Sequence, residues 1–342
     1  MVGGKQKSHF LSERRKSRSE KGSDEMAEGD RGRSADRPSE IPPSGWWNII
    51  RRTLSEFFED RILAVAAGVT FYALLAIFPG IAALISVYGL FADPASVSGQ
   101  LGHLSGIMPG GTTEILGDQM TRLATQKPSS LGLGFAIGLG AALWSASAGM
   151  KAMFDALNIV YDENEKRSFI KLGLLGLLFT LGAIAFLLIA FGAVVVLPVA
   201  LNIVGLGGIS ELLMWVLRWP ALFILAAIAF GVIYRFGPSR TKAKWRSISW
   251  GSVSASILWV VGSLAFSWYV QNFGSYNQTY GSLGAAIGFM TWIWLSTTIF
   301  LLGAELNSEI EHQTEHDTTI GDDKPGCERG ATASDTVGRA VT

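Results

Sequence analysis

Ionisable side chains are scarce in the long apolar stretches of this sequence, so each one found there is a candidate for chemistry. A charge taken out of water needs a partner, a wet cavity or the headgroup layer. Arg218, in Leu217-Arg218-Trp219-Pro220, is the clearest case. It is open to two readings. Its long stem can carry the guanidinium out to the headgroups, or the group can pair with an inward-facing acid or an anionic substrate. Glu305, in Gly303-Ala304-Glu305-Leu306-Asn307, stands at the C-terminal end of an apolar stretch. A carboxylate there opposes the helix macrodipole and calls for a partner, with Arg61 and Arg235 as candidates. Asp60-Arg61, just before another apolar stretch, reads equally well as an interfacial stop.

Uncharged polar chemistry is concentrated between Tyr269 and Gly281, where Gln271, Asn272, Ser275, Tyr276, Asn277 and Tyr280 crowd together. Such a segment can re-enter a bundle and line a polar cavity, or make an interfacial turn with a tyrosine belt. Catalytic signals are absent from the sequence: no phosphate-binding loop, no serine nucleophile elbow and no dinucleotide fingerprint. His312 and His316 share a helical face, but no further ligand at a known spacing accompanies them, so a solvated charged face is the expectation. The single cysteine, Cys327, excludes an intramolecular disulfide and a cysteine-based zinc cluster. No enzyme activity, metal or cofactor is therefore expected, and no nucleic-acid partner.

The elements that carry these groups are bounded first by composition. Only 16% of the residues are charged and 49% are hydrophobic, with eleven tryptophans and 40 glycines. Soluble domains are nearer a quarter charged, so lipid is the expected solvent. Six apolar segments approach the roughly 20 residues that cross hydrocarbon: about 62–91, 131–150, 172–197, 212–236, 248–270 and 282–303. Pro79-Gly80 predicts a kink or break in the first, and Pro198 an end to the third. Lysines and arginines cluster before the first segment, after the second and after the fourth, while the alternate loops are poor in them. That asymmetry places both termini in the cytoplasm.

Ahead of the first segment, Trp46, Ile50, Leu54 and Phe58 recur every four residues, with Arg51, Arg52, Ser55 and Glu59 largely opposite. This is the pattern of a helix lying in the headgroup plane, or of one packed on other protein. In 92–130, apolar residues at helical spacing on both sides of Pro109-Gly110-Gly111 predict a small outer helical hairpin. Small-residue ridges (Gly134, Gly138, Ala142, Ala146; Gly281, Gly284, Gly288) suit close packing within one subunit or a dimer seam. The expected fold is thus all-α: a polytopic membrane helix bundle, N-in and C-in, with six transmembrane helices. It occupies 45–311, between disordered tails at 1–44 and 312–342.

Several of these stretches resemble the YihY/BrkB family of bacterial inner-membrane proteins. The residues that carry the likeness are Leu63 to Leu75, Leu143-Trp144-Ser145-Ala146-Ser147, Arg218-Trp219-Pro220 and Tyr234-Arg235-Phe236-Gly237-Pro238. Asn272 to Asn277, Thr279 to Gly284 and Gly303 to Asn307 complete it, in order, between about Trp46 and Glu311. The resemblance implies a six-helix protein of the bacterial cytoplasmic membrane. Members have been described as virulence factors for serum resistance, as transporters of envelope lipids or other solutes, and under an older ribonuclease BN label. The residues give that last label no support. The leading expectation is a transporter or flippase-like protein for an envelope lipid or other amphiphile. Arg218 would hold a headgroup, Tyr72, Trp144, Asn272, Tyr276 and Asn277 would line the path, and Pro79 and Gly80 would act as a hinge. The competing expectation is a non-transporting scaffold for envelope integrity. Membrane lipids are the expected partners, with homo-oligomers open.

Overall fold

A computed structural model describes residues 31–89, 133–203, 207–273 and 282–338. For 78, 81–89, 133–136, 187–203, 207–219, 221, 222, 271–273, 282, 283 and 285 it describes the backbone only. Among the described residues, after a 3-10 turn, Pro38–Glu40, eight helices follow: α1 (Pro43–Glu59), α2 (Ile62–Gly89), α3 (Leu133–Val160), α4 (Phe169–Ile203), α5 (Gly207–Phe236), α6 (Trp245–Phe273), α7 (Ser282–Gln313) and a short α8 (Thr332–Asp335). From α2 to α7 each helix packs on the next, and α7 returns to α2, so the six close into a ring. The predicted outer hairpin at 92–130 lies outside the described residues.

Among the described residues three helices have the length and apolarity to cross a membrane, over Phe169–Phe186, Trp245–Val270 and Ala286–Gln313; α1 and α2 add a fourth if counted as one bent span. Their outward faces are what lipid requires. On α6, Ile257, Val261, Leu264 and Trp268 form an exposed stripe at helical spacing, and Leu174, Leu178 and Leu181 do the same on α4. A water-soluble surface does not leave apolar stripes of that extent uncovered.

The expected end at Pro198 needs correction, since α4 continues through it to Ile203, and at Pro79 and Gly80, where a kink or break is expected, α2 stays helical without a break. A proline removes one backbone donor and frees one carbonyl, a loss that packing with neighbouring helices can offset. The break that does occur lies between α1 and α2, where Arg61 takes the left-handed conformation (φ 53) and the axes bend by 61°. Below that elbow α1 buries a mixed face, Asn48, Ile49, Arg52 and Thr53, with Trp46 packed against it. Trp47, Ile50, Leu54 and Phe58 face outward, Phe58 with 70% of its surface exposed, and so do Arg51, Ser55 and Glu59. α1 packs on α7 and leaves an apolar stripe flanked by charged residues away from the protein.

One helix outruns its expected span: α3 passes Met150 to reach Val160, whereas α7 passes Gly303 to reach Gln313, close to the helical continuation to about His316 that the sequence leads one to expect. At 1.5 Å per residue, each extension adds about 15 Å. The apolar core collects around these ends, with Ile62, Leu157, Tyr161, Tyr234, Phe300, Leu301 and Ala304 buried together.

Parts of the two tails, 31–44 and 314–338, are among the described residues and bond to the bundle and to each other. Thr314 Oγ1 donates to Ala35 O (2.7 Å), Gln313 Nε2 to Arg31 O (2.7 Å) and Lys244 N to Thr318 O (2.7 Å). Arg329 donates to four backbone carbonyls, those of Glu315, His316, Lys324 and Ser334. Residues 31–44 and 314–338 are thus held by hydrogen bonds to the bundle together with a few buried apolar side chains, Ala35, Ile41 and Ala333.

Candidate functional site: a carboxyl pair at the polar end of the bundle

The last turns of α7 carry three buried glutamates, Glu305, Glu309 and Glu311. Two of them have a cation. Glu309 pairs with Arg52 from α1, which also donates to Gln313 Oε1 (2.8 Å), while His312 Nδ1 lies 3.3 Å from the other Glu309 oxygen. Glu311 takes a two-pronged bond from Arg240 (2.9 and 2.8 Å) and a third from Thr318 Oγ1 (2.8 Å). The Arg240 guanidinium stacks on the Tyr161 ring at 4.0 Å. Burial would lower the Arg240 pKa, but the Glu311 charge and hydrogen bonds more than offset it, so the arginine stays ionised.

Glu305 has no such cation. Only 1% of it is exposed, and no donor group bonds to Oε1. Its neighbour is Asp60, at the α1–α2 elbow, within side-chain hydrogen-bonding reach. Two ionised carboxylates have no hydrogen to share, so this contact forms only when one of them carries a proton. Burial, then the Asp162 charge, push Asp60 up to about 6, with the Glu305 hydrogen bond acting the other way. The partners expected from sequence are elsewhere. Arg61 is exposed, and Arg235 lies over the Trp245 ring at 4.5 Å. Sequence reasoning singled out Glu305 but not its companion, because Asp60 is 245 positions away and reads alone as an interfacial stop.

Of the other predicted site residues, Trp144 lies against Gly173 on α4, with Lys151 Nζ 4.8 Å from its ring centre. Tyr72 is half-exposed and meets Phe71 edge-on, with centroids 5.6 Å apart. Arg218 and Asn272 lie on described helices but their side chains are outside the described set, as are Tyr276 and Asn277 altogether. His312 and His316 diverge, to Glu309 and Asp36, and no cluster suited to a metal occurs among the described residues.

A chain that is helical with outward apolar stripes among the described residues, and similar over most of its length to proteins named as membrane proteins, is a multi-pass membrane protein. It belongs to the family described as Virulence factor BrkB, which matches residues 53–325. It is 31% identical over 269 residues to Putative ribonuclease-like protein YfkH of Bacillus subtilis, covering 76% of this chain and 94% of the relative. It is 23% identical over 267 residues to UPF0761 membrane protein NTHI0384 of Haemophilus influenzae, covering 75% and 92%. A third relative, UPF0761 membrane protein PBPRA3489 of Photobacterium profundum, is 26% identical over 264 residues, covering 77% and 81%. No solved structure matches the chain.

Proposed function

We propose that this chain is a transporter or flippase-like protein of the bacterial inner membrane that moves an envelope lipid or another amphiphile. It has six spans and both termini in the cytoplasm, and it is not an enzyme. The observation that carries the reading is the α1–α2 elbow. A helix bent by 61° from the first long helix, with Trp47, Ile50, Leu54 and Phe58 exposed beside Arg51, Ser55 and Glu59, fits the headgroup layer and flanks the ring of helices. An amphiphile entering between helices passes such an element first. Arg218 holds the headgroup in this reading, and Tyr72, Trp144, Asn272, Tyr276 and Asn277 contact the molecule on its way. Vesicles reconstituted with the purified chain should move labelled envelope lipids between leaflets, and Arg218→Ala should slow that movement at least tenfold, equivalent to about 1.4 kcal/mol. An inert wild type overturns the reading; an unchanged Arg218→Ala removes that residue's role.

The scaffold reading draws on a different feature. Gly68, Gly138, Gly140, Gly182 and Gly288 have open space where a side chain would stand, so these small residues face outward. Such faces suit a second copy or another membrane protein.

Topology is testable through Cys327, the only cysteine and an exposed one, in the tail beyond α7. A membrane-impermeant maleimide should label it in inverted vesicles and spare it in intact cells. Labelling in intact cells would place the C-terminus outside.

A further inference from the structure

The turn from α5 to α6 carries five basic residues between 235 and 246, and the fold itself uses two of them. Arg240 is bonded to Glu311, and Lys244 donates to Asp317 O (2.8 Å) and to Asp323 Oδ1 (3.1 Å). Arg235, Lys242 and Arg246 form no ion pair among the described residues. We propose that Arg235 and Lys242 bind the phosphate of an anionic phospholipid, where the lipid-facing sides of α5 and α6 reach the polar end. The site requires only that the protein lie in a membrane and does not rest on the transport reading.

Arg235 is the anchor. Its guanidinium lies over the Trp245 ring at 4.5 Å and over the Phe236 ring at 5.6 Å, and Lys242 Nζ stands 4.8 Å from the centre of that same Phe236 ring. The aromatic faces attract the cations, but the hydrogen bonds in the guanidinium plane still need acceptors. Arg235 Nε and Nη1 are buried and have none among the described residues. That separates this residue from an ordinary interfacial arginine, whose donors are satisfied by water. A buried donor left unbonded costs roughly 1–3 kcal/mol, which an anion in the plane of the fork removes. Phosphate oxygens match that fork. Arg235 is partly exposed and Trp245 exposes 51% of its surface, so a small rotation of the indole admits an oxygen. Gly231 seats the indole, since a Cβ there would already meet Trp245 Cζ3 at 3.5 Å.

The surfaces on either side identify the ligand as a lipid. On α5, Ile224 and Ile228 are exposed and lead at helical spacing to Arg235. On α6, Arg246 begins an exposed stripe that continues through Trp250, Val253 and Ile257. Both stripes are apolar along their length and end in an arginine, so acyl chains lie along them when the headgroup sits at the turn. Free phosphate gains the fork but nothing from the stripes. A zwitterionic headgroup brings its own cation toward Lys242 and Arg246, and is disfavoured by that repulsion.

Lipid titrations of the purified full chain in neutral detergent, read by native mass spectrometry, test the site. Phosphatidylglycerol should bind, and neither diacylglycerol with the same chains nor inorganic phosphate should displace it. Arg235→Gln should weaken phosphatidylglycerol about tenfold and Lys242→Gln about fivefold. Lys171→Gln, which removes an exposed lysine in the first turn of α4, should change nothing. Binding unaltered by both substitutions at the turn, or weakened equally by Lys171→Gln, overturns the proposal, since net charge or another surface then holds the lipid. Displacement by diacylglycerol overturns it too, because the phosphate is then not read. Displacement by inorganic phosphate assigns the fork to a soluble anion and overturns the lipid. Should Arg235→Gln fail to fold, Lys242→Gln decides, because Lys242 is exposed and pairs with no acid among the described residues. Translocation plays no part in the readout, so this site and the transport reading fail separately.

Discussion

Replacing Arg240 with alanine should unfold the polar end of the protein, with a loss of about 3–5 kcal/mol. The guanidinium and its partner carboxylate are almost completely buried, at 1% and 0% side-chain exposure. Both Glu311 oxygens are bound by Arg240, and Thr318 adds a third bond that docks the C-terminal tail. Alanine removes two charge-assisted hydrogen bonds and the cation over Tyr161, but it leaves Glu311 buried. The cost is chiefly that of the orphaned charge rather than of the lost attraction. This distinction can be measured. The double substitution Arg240→Met with Glu311→Met removes the orphan and should recover most of the loss, since apolar residues often replace a buried ion pair without harm. Thermal unfolding in detergent, followed by tryptophan fluorescence, should give the order wild type, double variant, Arg240→Ala. A single variant as stable as wild type would show that water reaches Glu311 and that the pair contributes little.

The same pair shows what the sequence could and could not disclose. Hydropathy finds the spans because lipid imposes one rule along their length, so α4, α6 and α7 fall where apolar runs predict them. The rule lapses where a helix leaves the hydrocarbon. Beyond Met150, α3 continues because Phe154, Ala156, Leu157 and Val160 bury in the apolar core, and beyond Gly303, α7 continues with its polar groups buried against α1 and the tails. Arg240 reads as one more basic loop residue, and Glu311 as part of a charged helical face. Only the fold brings them to 2.8 Å. For α1 the four-residue period gave Ile50, Leu54 and Phe58 as one stripe, but not that this stripe would face away from the protein while Trp46 packs inward and Arg52, of the opposite side, is buried. Glu305 was legible as a carboxylate needing a partner. Its actual partner was not, because an acid is a sensible neighbour only once the arginines have been assigned elsewhere.

Gly303→Ala should be nearly as damaging as the loss of Arg240, although it adds a single methyl group. In an exposed helix this change stabilises by roughly 1 kcal/mol, because alanine has the higher helix propensity. At Gly303 the new Cβ would stand 2.5 Å from Ala255 Cβ, 2.6 Å from Tyr234 Oη and 2.9 Å from Gly251 O. None of the three can yield cheaply. One is a backbone carbonyl and one a methyl with no rotamer to change. The third is fixed by donating to Phe300 O at 2.7 Å. α6 must therefore move away from α7, breaking the bond from Gly251 N to Asn307 Oδ1 (2.8 Å) and loosening the core around Tyr234 and Phe300. Overpacking of this kind costs typically about 1–3 kcal/mol, and a backbone-limited contact belongs at the upper end of that range. Gly138→Ala is the matched control, since its Cβ would meet nothing within 4 Å. Size-exclusion profiles and melting temperatures should show Gly138→Ala at or above wild type and Gly303→Ala well below it. Equal behaviour would mean that α6 and α7 do not cross at Gly251 and Gly303.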